Sequence, residues 1–387
     1  MRSLTSSIAA IALAGIAAPA FADGHNHGEV SLSAQEILAP YYAKLQSEIE
    51  LPVAPANVSL APDTVLTRIA FGSCNHQLRP QDMWAQIAAA NPDLFLFIGD
   101  NNYGDQGWDG DAALTTLRAA YQVQAETPEL AFFREQVPMM ITWDDHDFGF
   151  NDGGASFAYR GWTETIFETF WDASDEVQSR PGIYESRMFG QDGQVTQIIM
   201  LDTRFFRSDL ATMPYQMERP PLGVYAPSDD PSKTMLGEAQ WQWLEQELAK
   251  PADLRVIVSS IQVLTDAHNY ESWENLPLER AKLYAMLAGR EESGMVMLSG
   301  DRHAGGIYTD APAEAGEQLW ELTSSSMNYS FSSTERNTAR EPDPKRLTDF
   351  ISEENFGLVE IDWEAKTFTM SMRGSEGETR VTRTVNW

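Results

Sequence analysis

Cysteine occurs once in this 387-residue chain, at position 74. A single thiol excludes an intramolecular disulfide framework and any zinc site built on four cysteines. Positive charge is scarce too. Six lysines and 21 arginines stand against 57 carboxylates, for a net charge of −30. A field of that sign repels nucleic acid and anionic lipid, so neither a nucleic-acid-binding surface nor a polybasic membrane contact is expected. It also sets a condition on function, because an anionic substrate then needs local positive charge from arginine or from metal. Beyond the first two dozen positions no run reaches the roughly 18 apolar residues of a membrane span. There is no internal repeat and no heptad pattern, which excludes solenoids and coiled coils.

What is present describes a folded, exported chain. Hydrophobic residues make up 43% and aromatics 11%, too many for a disordered polymer. Residues 1–22 read as a cleavable Sec-type signal peptide: Arg2 supplies the positive start, Ile8 to Ala18 is apolar, and Ala20-Phe21-Ala22 is an A-x-A cleavage site. No twin-arginine pair precedes the apolar run. The expected location is therefore periplasmic or secreted, with no membrane span after processing. Residues 23–63 form a lead-in segment, with His25 and His27 near its start and a helical spacing over Ser33–Ile49. Residues 64–387 form the main domain, including β-strands at the C-terminus.

In that domain short apolar strands alternate with helical segments, the pattern of an α/β architecture with buried sheets. The informative feature is where the polar residues fall. Five apolar strands each run into a short polar cluster: Cys74-Asn75-His76, Asp100-Asn101-Asn102-Tyr103, Asp144-Asp145-His146-Asp147, Asp202-Thr203-Arg204 and Asp301-Arg302-His303. In α/β sheets the carboxyl ends of the strands are where sites assemble. If the strands are parallel, the clusters meet at one edge. Carboxylate, imidazole, phenolate and thiolate together make a ligand set for one Lewis-acid metal or a pair.

The ordered set Gly72-Ser73-Cys74-Asn75, Gly99-Asp100-x-x-Tyr103, Trp143-Asp144-Asp145-His146-Asp147, Leu201-Asp202-Thr203-Arg204 and Ser299-Gly300-Asp301-Arg302-His303 resembles the PhoD-type alkaline phosphatases, within the calcineurin-like metallophosphoesterase superfamily. The resemblance runs from about residue 65 to 310. It implies an αββα sandwich, two central mixed sheets flanked by helices. It further implies an exported phosphoric ester hydrolase that cleaves phosphomonoesters, phosphodiesters or both by attack of a metal-bound hydroxide. Its substrate is then a small phosphoester or a phosphate-containing polymer. The implied cofactor is a dinuclear or trinuclear site, with Fe(III) plus Ca(II) favoured and Zn, Mn or Mg as alternatives.

Carried over position by position, the resemblance makes Asp100 the carboxylate that bridges two metals. Tyr103 stands at the spacing of an iron-binding tyrosine, or else packs as a strand-end aromatic. Asp145 is the expected ligand in place of an asparagine, and His146 the acid or transition-state stabiliser. Asp301 and His303 match a His-x-His motif whose first histidine is changed. Cys74 is expected as a thiolate ligand, the alternative being a buried small hydrophobe. Asn102 and Arg302 are expected substrate contacts, although Arg302 has a solvated strand-end reading as well. The roles of Asp144, Asp147 and His76 stay open. The superfamily's fourth histidine is missing after Val258-Ser259-Ser260-Ile261-Gln262, leaving either Gln262 or one ligand fewer. Asp202 and Arg204 read as a loop brace before a catalytic pair, and Trp143, Trp162, Phe167, Phe170 and Trp171 as core. Segments 205–235 and 325–355 are the expected specificity elements. The competing reading from another class is a non-catalytic periplasmic metal- or phosphate-binding protein that keeps the fold.

Overall fold

A computed structural model describes residues 32–214, 222–289, 294–331 and 333–387. The signal-peptide reading and the pair His25 and His27 lie outside the described residues.

The buried apolar runs become the inner strands of two six-stranded sheets. In the first, β1 (Arg68–Gly72), β2 (Leu94–Ile98) and β3 (Met139–Thr142) run parallel. The second is built from β4 (Glu185–Phe189), β5 (Thr196–Met200), β8 (Leu254–Val258), β9 (Gly294–Ser299), β10 (Gly306–Asp310) and β11 (Leu319–Thr323). A two-stranded ribbon, β6 (Ala211–Thr212) with β7 (Tyr225–Ala226), lies in the loop between β5 and β8. In the second sheet β5, β8, β9 and β11 are parallel, and β4 and β10 close its edges antiparallel. The final strands β12 (Asn355–Asp362), β13 (Thr367–Gly374) and β14 (Thr379–Asn386) return to the first sheet, antiparallel, with β12 beside β1. Both sheets are therefore mixed.

Strand alternation assigns each face. Leu94, Leu96 and Ile98 of β2 join Ile69, Phe71, Val256, Val258, Val296 and Leu298 in a core between the sheets. Phe95 and Phe97 point the other way, onto Trp84, Phe133, Trp143, Trp162 and Phe170 from the outer layer. Ile199, Ile257 and Met297 meet Trp241 and Leu244 of the helix Gly237–Leu248 beyond the second sheet. Side chains at successive positions of a strand face opposite sides, so one apolar run feeds two cores. The result is the expected four-layer order of helices, sheet, sheet, helices, and the suspected aromatic run is core.

The lead-in is packed, not free. Its helix Ala34–Glu48 starts at a Ser33–Glu36 capping box, and Tyr42 stacks on Trp162 at 5.1 Å. Among the described residues, no helix is long and apolar enough to cross a membrane. The sequence pattern did not reveal β4, β10 or the helix Thr334–Arg340. The first two are edge strands, and β4 is only partly buried, so an alternating apolar pattern is blunted there.

Candidate functional site

Because β1, β2 and β3 are parallel, as are β5, β8 and β9, their carboxyl ends deliver the five polar clusters to one region. The backbone pays a conformational cost to do so. Cys74, Asp100, Asp301 and His303 all have left-handed φ values, between 48° and 65° except for Asp100 at 47°. Non-glycine residues rarely adopt that conformation, and such strain gathers at functional sites. Each of these turns ends a strand sharply and aims a side chain inward. Gly99 and Gly300, just ahead of two of them, leave room for the strand ends to approach. A Cβ at Gly99 would stand 2.6 Å from Asp144 Cβ, and one at Gly300 would stand 2.4 Å from Ser73 Oγ.

Three groups of donors share the Asp100 carboxylate, one of them Asp100 with Asp145 and His146. On one side the Cys74 thiol and the Tyr103 hydroxyl donate to Asp100 Oδ2, at 3.2 and 3.1 Å, and His303 Nε2 lies 3.4 Å from the Tyr103 oxygen. On the other side Asp100 comes together with Asp144, Asp145 and Asp301, one oxygen from each lying within 4.8 Å of the others. All of these residues are buried apart from the half-buried Asp301. Asp100 Oδ1, Asp144 Oδ2 and Asp145 Oδ1 have no hydrogen-bond partner, although buried carboxylate oxygens almost always find one.

The electrostatics point to missing positive charge. Burial pushes Asp100 and Asp301 well above the usual carboxylate range, and the neighbouring carboxylates add to the effect. Burial and the Asp100 charge do the same to the Cys74 thiol and the Tyr103 hydroxyl. Asp145 is held low instead. Burial opposes this, but His146, Arg204 and the backbone N–H of Asp152 outweigh it. Burial lowers His303 to about 4, so its ring is neutral. Its Nδ1 donates to the Tyr329 carbonyl at 2.5 Å, which turns the Nε2 lone pair toward Cys74 and Asp100. A neutral imidazole fixed in this way is the form that binds a cation.

His146 begins its own wall. It lies on the one-turn helix Asp145–Phe148, and its Nδ1 pairs with Asp105 at 2.8 Å. Burial works to lower its pKa, but Asp145, Asp100 and Asp105 win and raise it to about 12. His146 faces a cavity of about 450 Å³ whose lining also includes Asp145, Asp301, Arg302 and His303. Segment 205–235 contributes Gly223, Val224 and Tyr225 to that lining, and segment 325–355 contributes Tyr329 and Phe331.

The remaining sequence candidates separate cleanly. Asn102 does not join the cluster. Its side chain is buried toward Gln124, 3.4 Å away. Asn102 is absent from the lining of the cavity described above. Arg302 does line the cavity, but it is buried, bonded to Glu341 at 2.5 Å and laid over Tyr270. Asp147 clamps two strand ends, accepting from the backbone N–H groups of Asp144 and Asn101. His76 stacks on Tyr103 at 5.1 Å and stays at the margin. Gln262 turns away, bonding to Thr323 and His268. In the region of the absent fourth histidine, Ser260 donates to Asp144 at 2.6 Å. Asp202 braces its loop, accepting from Trp143 Nε1 and from three backbone N–H groups.

Four partners escaped the sequence reading. Asp105 pairs with His146. Glu271 is buried between Arg204 and Arg207. Asp152 accepts the Tyr225 hydroxyl at 2.5 Å and lies with Asp145 and Glu271. Tyr329 holds His303. Only Asp105 carried a signal, as a further carboxylate two positions after Tyr103.

The model of the PhoD-like phosphatase family matches residues 155–372, more than half of the chain. This chain belongs to the PhoD-like phosphatase family. Three of the five clusters lie ahead of the matched range, and the fold brings them to the two that lie within it. Alkaline phosphatase D of Bacillus subtilis (strain 168) is 24% identical across 68% of this chain and 51% of its own length. The chain thus spans about half the length of that curated relative. Among solved structures, one of PhoD superposes with a TM-score of 0.63 at 19% identity, covering 86% of this chain and 70% of the other. A purple acid phosphatase, PPD1 from yellow lupin (Lupinus luteus) seeds, superposes with a TM-score of 0.53 at 12% identity, covering 86% and 55%. At these identities the structural likeness establishes a shared metallophosphoesterase fold.

Proposed function

We propose that this chain is an exported, metal-dependent phosphoesterase acting on phosphomonoesters, phosphodiesters or both. The observation that carries the reading is the buried donor set with unpartnered carboxylate oxygens, whose members Asp145, Asp301 and His303 line the same cavity as His146. The donors fit cations of two kinds. Cys74, Tyr103, His303 and Asp100 offer sulfur, phenol, imidazole and one carboxylate, which suits Fe(III). Asp100, Asp145 and Asp301 offer oxygen only, which suits a hard cation such as Ca(II). Asp100 belongs to both sets and would be shared between them. When bound, such cations supply Lewis acidity and the positive charge that this acidic chain otherwise lacks.

The protein's own part is positioning and proton transfer. Asp105 fixes the His146 ring and favours its charged form, so Nε2 carries a proton toward the cavity for the departing alkoxide. Arg302, tied to Glu341, is a fixed positive group on the cavity wall for a phosphoryl oxygen. The competing reading, a binding protein without turnover, gives the His146–Asp105 pair no task.

Hydrolysis of 4-nitrophenyl phosphate and its bis-ester, with and without chelator, tests the proposal. Turnover that chelator abolishes is expected, and a fully metal-loaded protein with no turnover on either would overturn it. Chelation should also lower Tm, because cations bound to the folded form stabilise it by mass action. Re-uptake should weaken as pH falls, since the raised Asp100, Asp301, Cys74 and Tyr103 must release protons to bind. Cys74→Ala should lower iron content, measured by mass spectrometry of the purified protein. Stoichiometric iron in that variant would remove Cys74 from the ligand set.

A further inference from the structure

The lining of the cavity over the site is unevenly composed. One wall comes from the ribbon after β6. Gly223 has φ +104°, and an added Cβ would stand 2.0 Å from the Asn269 carbonyl carbon, so only glycine fits there. The Tyr225 N–H donates to the Asn269 carbonyl at 2.8 Å, and the Asn269 amide returns a bond to the Tyr225 carbonyl at 2.9 Å. This lashing presents Val224, which is 56% exposed, with Tyr225 and Tyr270 beside it. A second wall is Phe331, stacked on His303 at 4.3 Å, and Tyr329, packed edge-on against Tyr103 at 4.8 Å. Phe331 stays 57% exposed even so. Solvent-facing aromatic and branched side chains held around the mouth of a polar site need a reason beyond core packing.

Charge in the same lining leans negative. Arg302 and His146 stand against Asp145, Asp152, Asp301 and Glu271, the last held by Arg204 and Arg207, and there is no lysine. Arg302 already serves Glu341. Of the nearby arginines outside the lining, Arg79 is laid over Tyr329 and bonded to the Asn328 carbonyl, and Arg340 lines an adjoining recess of only about 40 Å³ that shares Tyr270, Arg302 and Phe331 with the cavity. Among the described lining residues each cation already has a carboxylate partner, His146 with Asp105 and Arg302 with Glu341, which leaves none free for a second anion.

We infer that the cavity selects phosphoryl compounds carrying one uncharged aromatic or apolar substituent, which rests between Val224, Tyr270 and Phe331, and that it discriminates against a second anionic group on that substituent. The inference rests on the phosphoesterase reading for its location. The recognition chemistry is its own: apolar area leaves water against fixed rings, and an added carboxylate is left without a cationic partner beside Asp152. A volume of about 450 Å³ accommodates a phosphoryl group with one ring.

Binding of phosphonates, which cannot be hydrolysed, to the metal-loaded full chain tests this by titration calorimetry. Phenylphosphonate is expected to bind about tenfold more tightly than methylphosphonate, the effect of partly burying one ring. 4-Carboxyphenylphosphonate should fall back to within about threefold of methylphosphonate. Phe331→Ala and, on the other wall, Val224→Ser should each shrink the phenyl-to-methyl ratio to about threefold or less. The 4-nitrophenyl diesters bearing phenyl or methyl share a leaving group, so their kcat/KM ratio should follow the same order. A wild-type ratio near one, or a ratio unchanged in both variants, would overturn the inference. Phenyl selectivity in binding with no turnover of any ester would sustain it while removing the hydrolytic reading.

Discussion

Arg204→Met is expected to destabilise the protein by about 3–5 kcal/mol, the range for breaking a buried ion pair from one side. Arg204 is fully buried. Its guanidinium bonds Asp144 through Nε at 2.5 Å and pairs with Glu271, which Arg207 also holds. Methionine restores the volume but leaves Asp144 buried beside Asp145 and Asp100 with only Ser260 to bond it. The urea midpoint reads the loss. Arg204→Lys should recover part of it, because an ammonium supplies the charge but not the planar fork that spans two carboxylates. In chelator-treated protein the deficit should shrink on acidification. Burial raises Asp144 to about 6 even with Arg204 opposing it. A carboxyl raised in the folded state binds its proton there first, so its penalty is present at neutral pH and is relieved as pH falls through about 6. Without Arg204 the relief should begin at higher pH. A loss under 1 kcal/mol, or one independent of pH, would contradict the electrostatic account.

His146→Gln is expected to lower kcat by a factor of about 10²–10⁴, the usual contribution of a positioned proton donor. Glutamine keeps the size and a hydrogen bond to Asp105 but cannot deliver a proton. Metal content should stay unchanged, which separates this loss from damage to the ligand set. Asp105→Asn should cost less and should move the alkaline limb of the rate–pH profile to lower pH. The sign follows from the geometry: Asp105 stabilises the imidazolium from 2.8 Å, so its loss lets the ring surrender its proton sooner. A purely structural Asp105 would reduce kcat without shifting the limb.

Both results depend on groups of different legibility. His146 stood out in the sequence because it follows an apolar strand in a run of aspartates. Asp105, Glu271 and Arg207 did not, because each lies in a loop with no periodic signal and meets its partner across 41, 67 or 64 positions. Asn102 lies inside a motif, but which way its side chain turns is set by its neighbours in space, and it is buried against Gln124. The three tail strands β12 to β14 were readable as strands, but their return beside β1 rests on pairing between distant segments.

By itself the sequence determined which residues end the parallel strands. Continuous apolar runs must be buried on both faces, and the polar residues that follow must leave the sheet at its carboxyl edge. That was sufficient to bring the five polar clusters to one edge, and the family resemblance singled out Cys74, Asp100, Tyr103, Asp145, Asp301 and His303 within them. Only the tertiary structure decided what surrounds them: the carboxylate that fixes His146, the arginines that neutralise Glu271, and the aromatic walls over the cavity. Those contacts are made by irregular loops whose course is set by packing against the two finished sheets, and no local periodicity encodes where such a loop will come to rest.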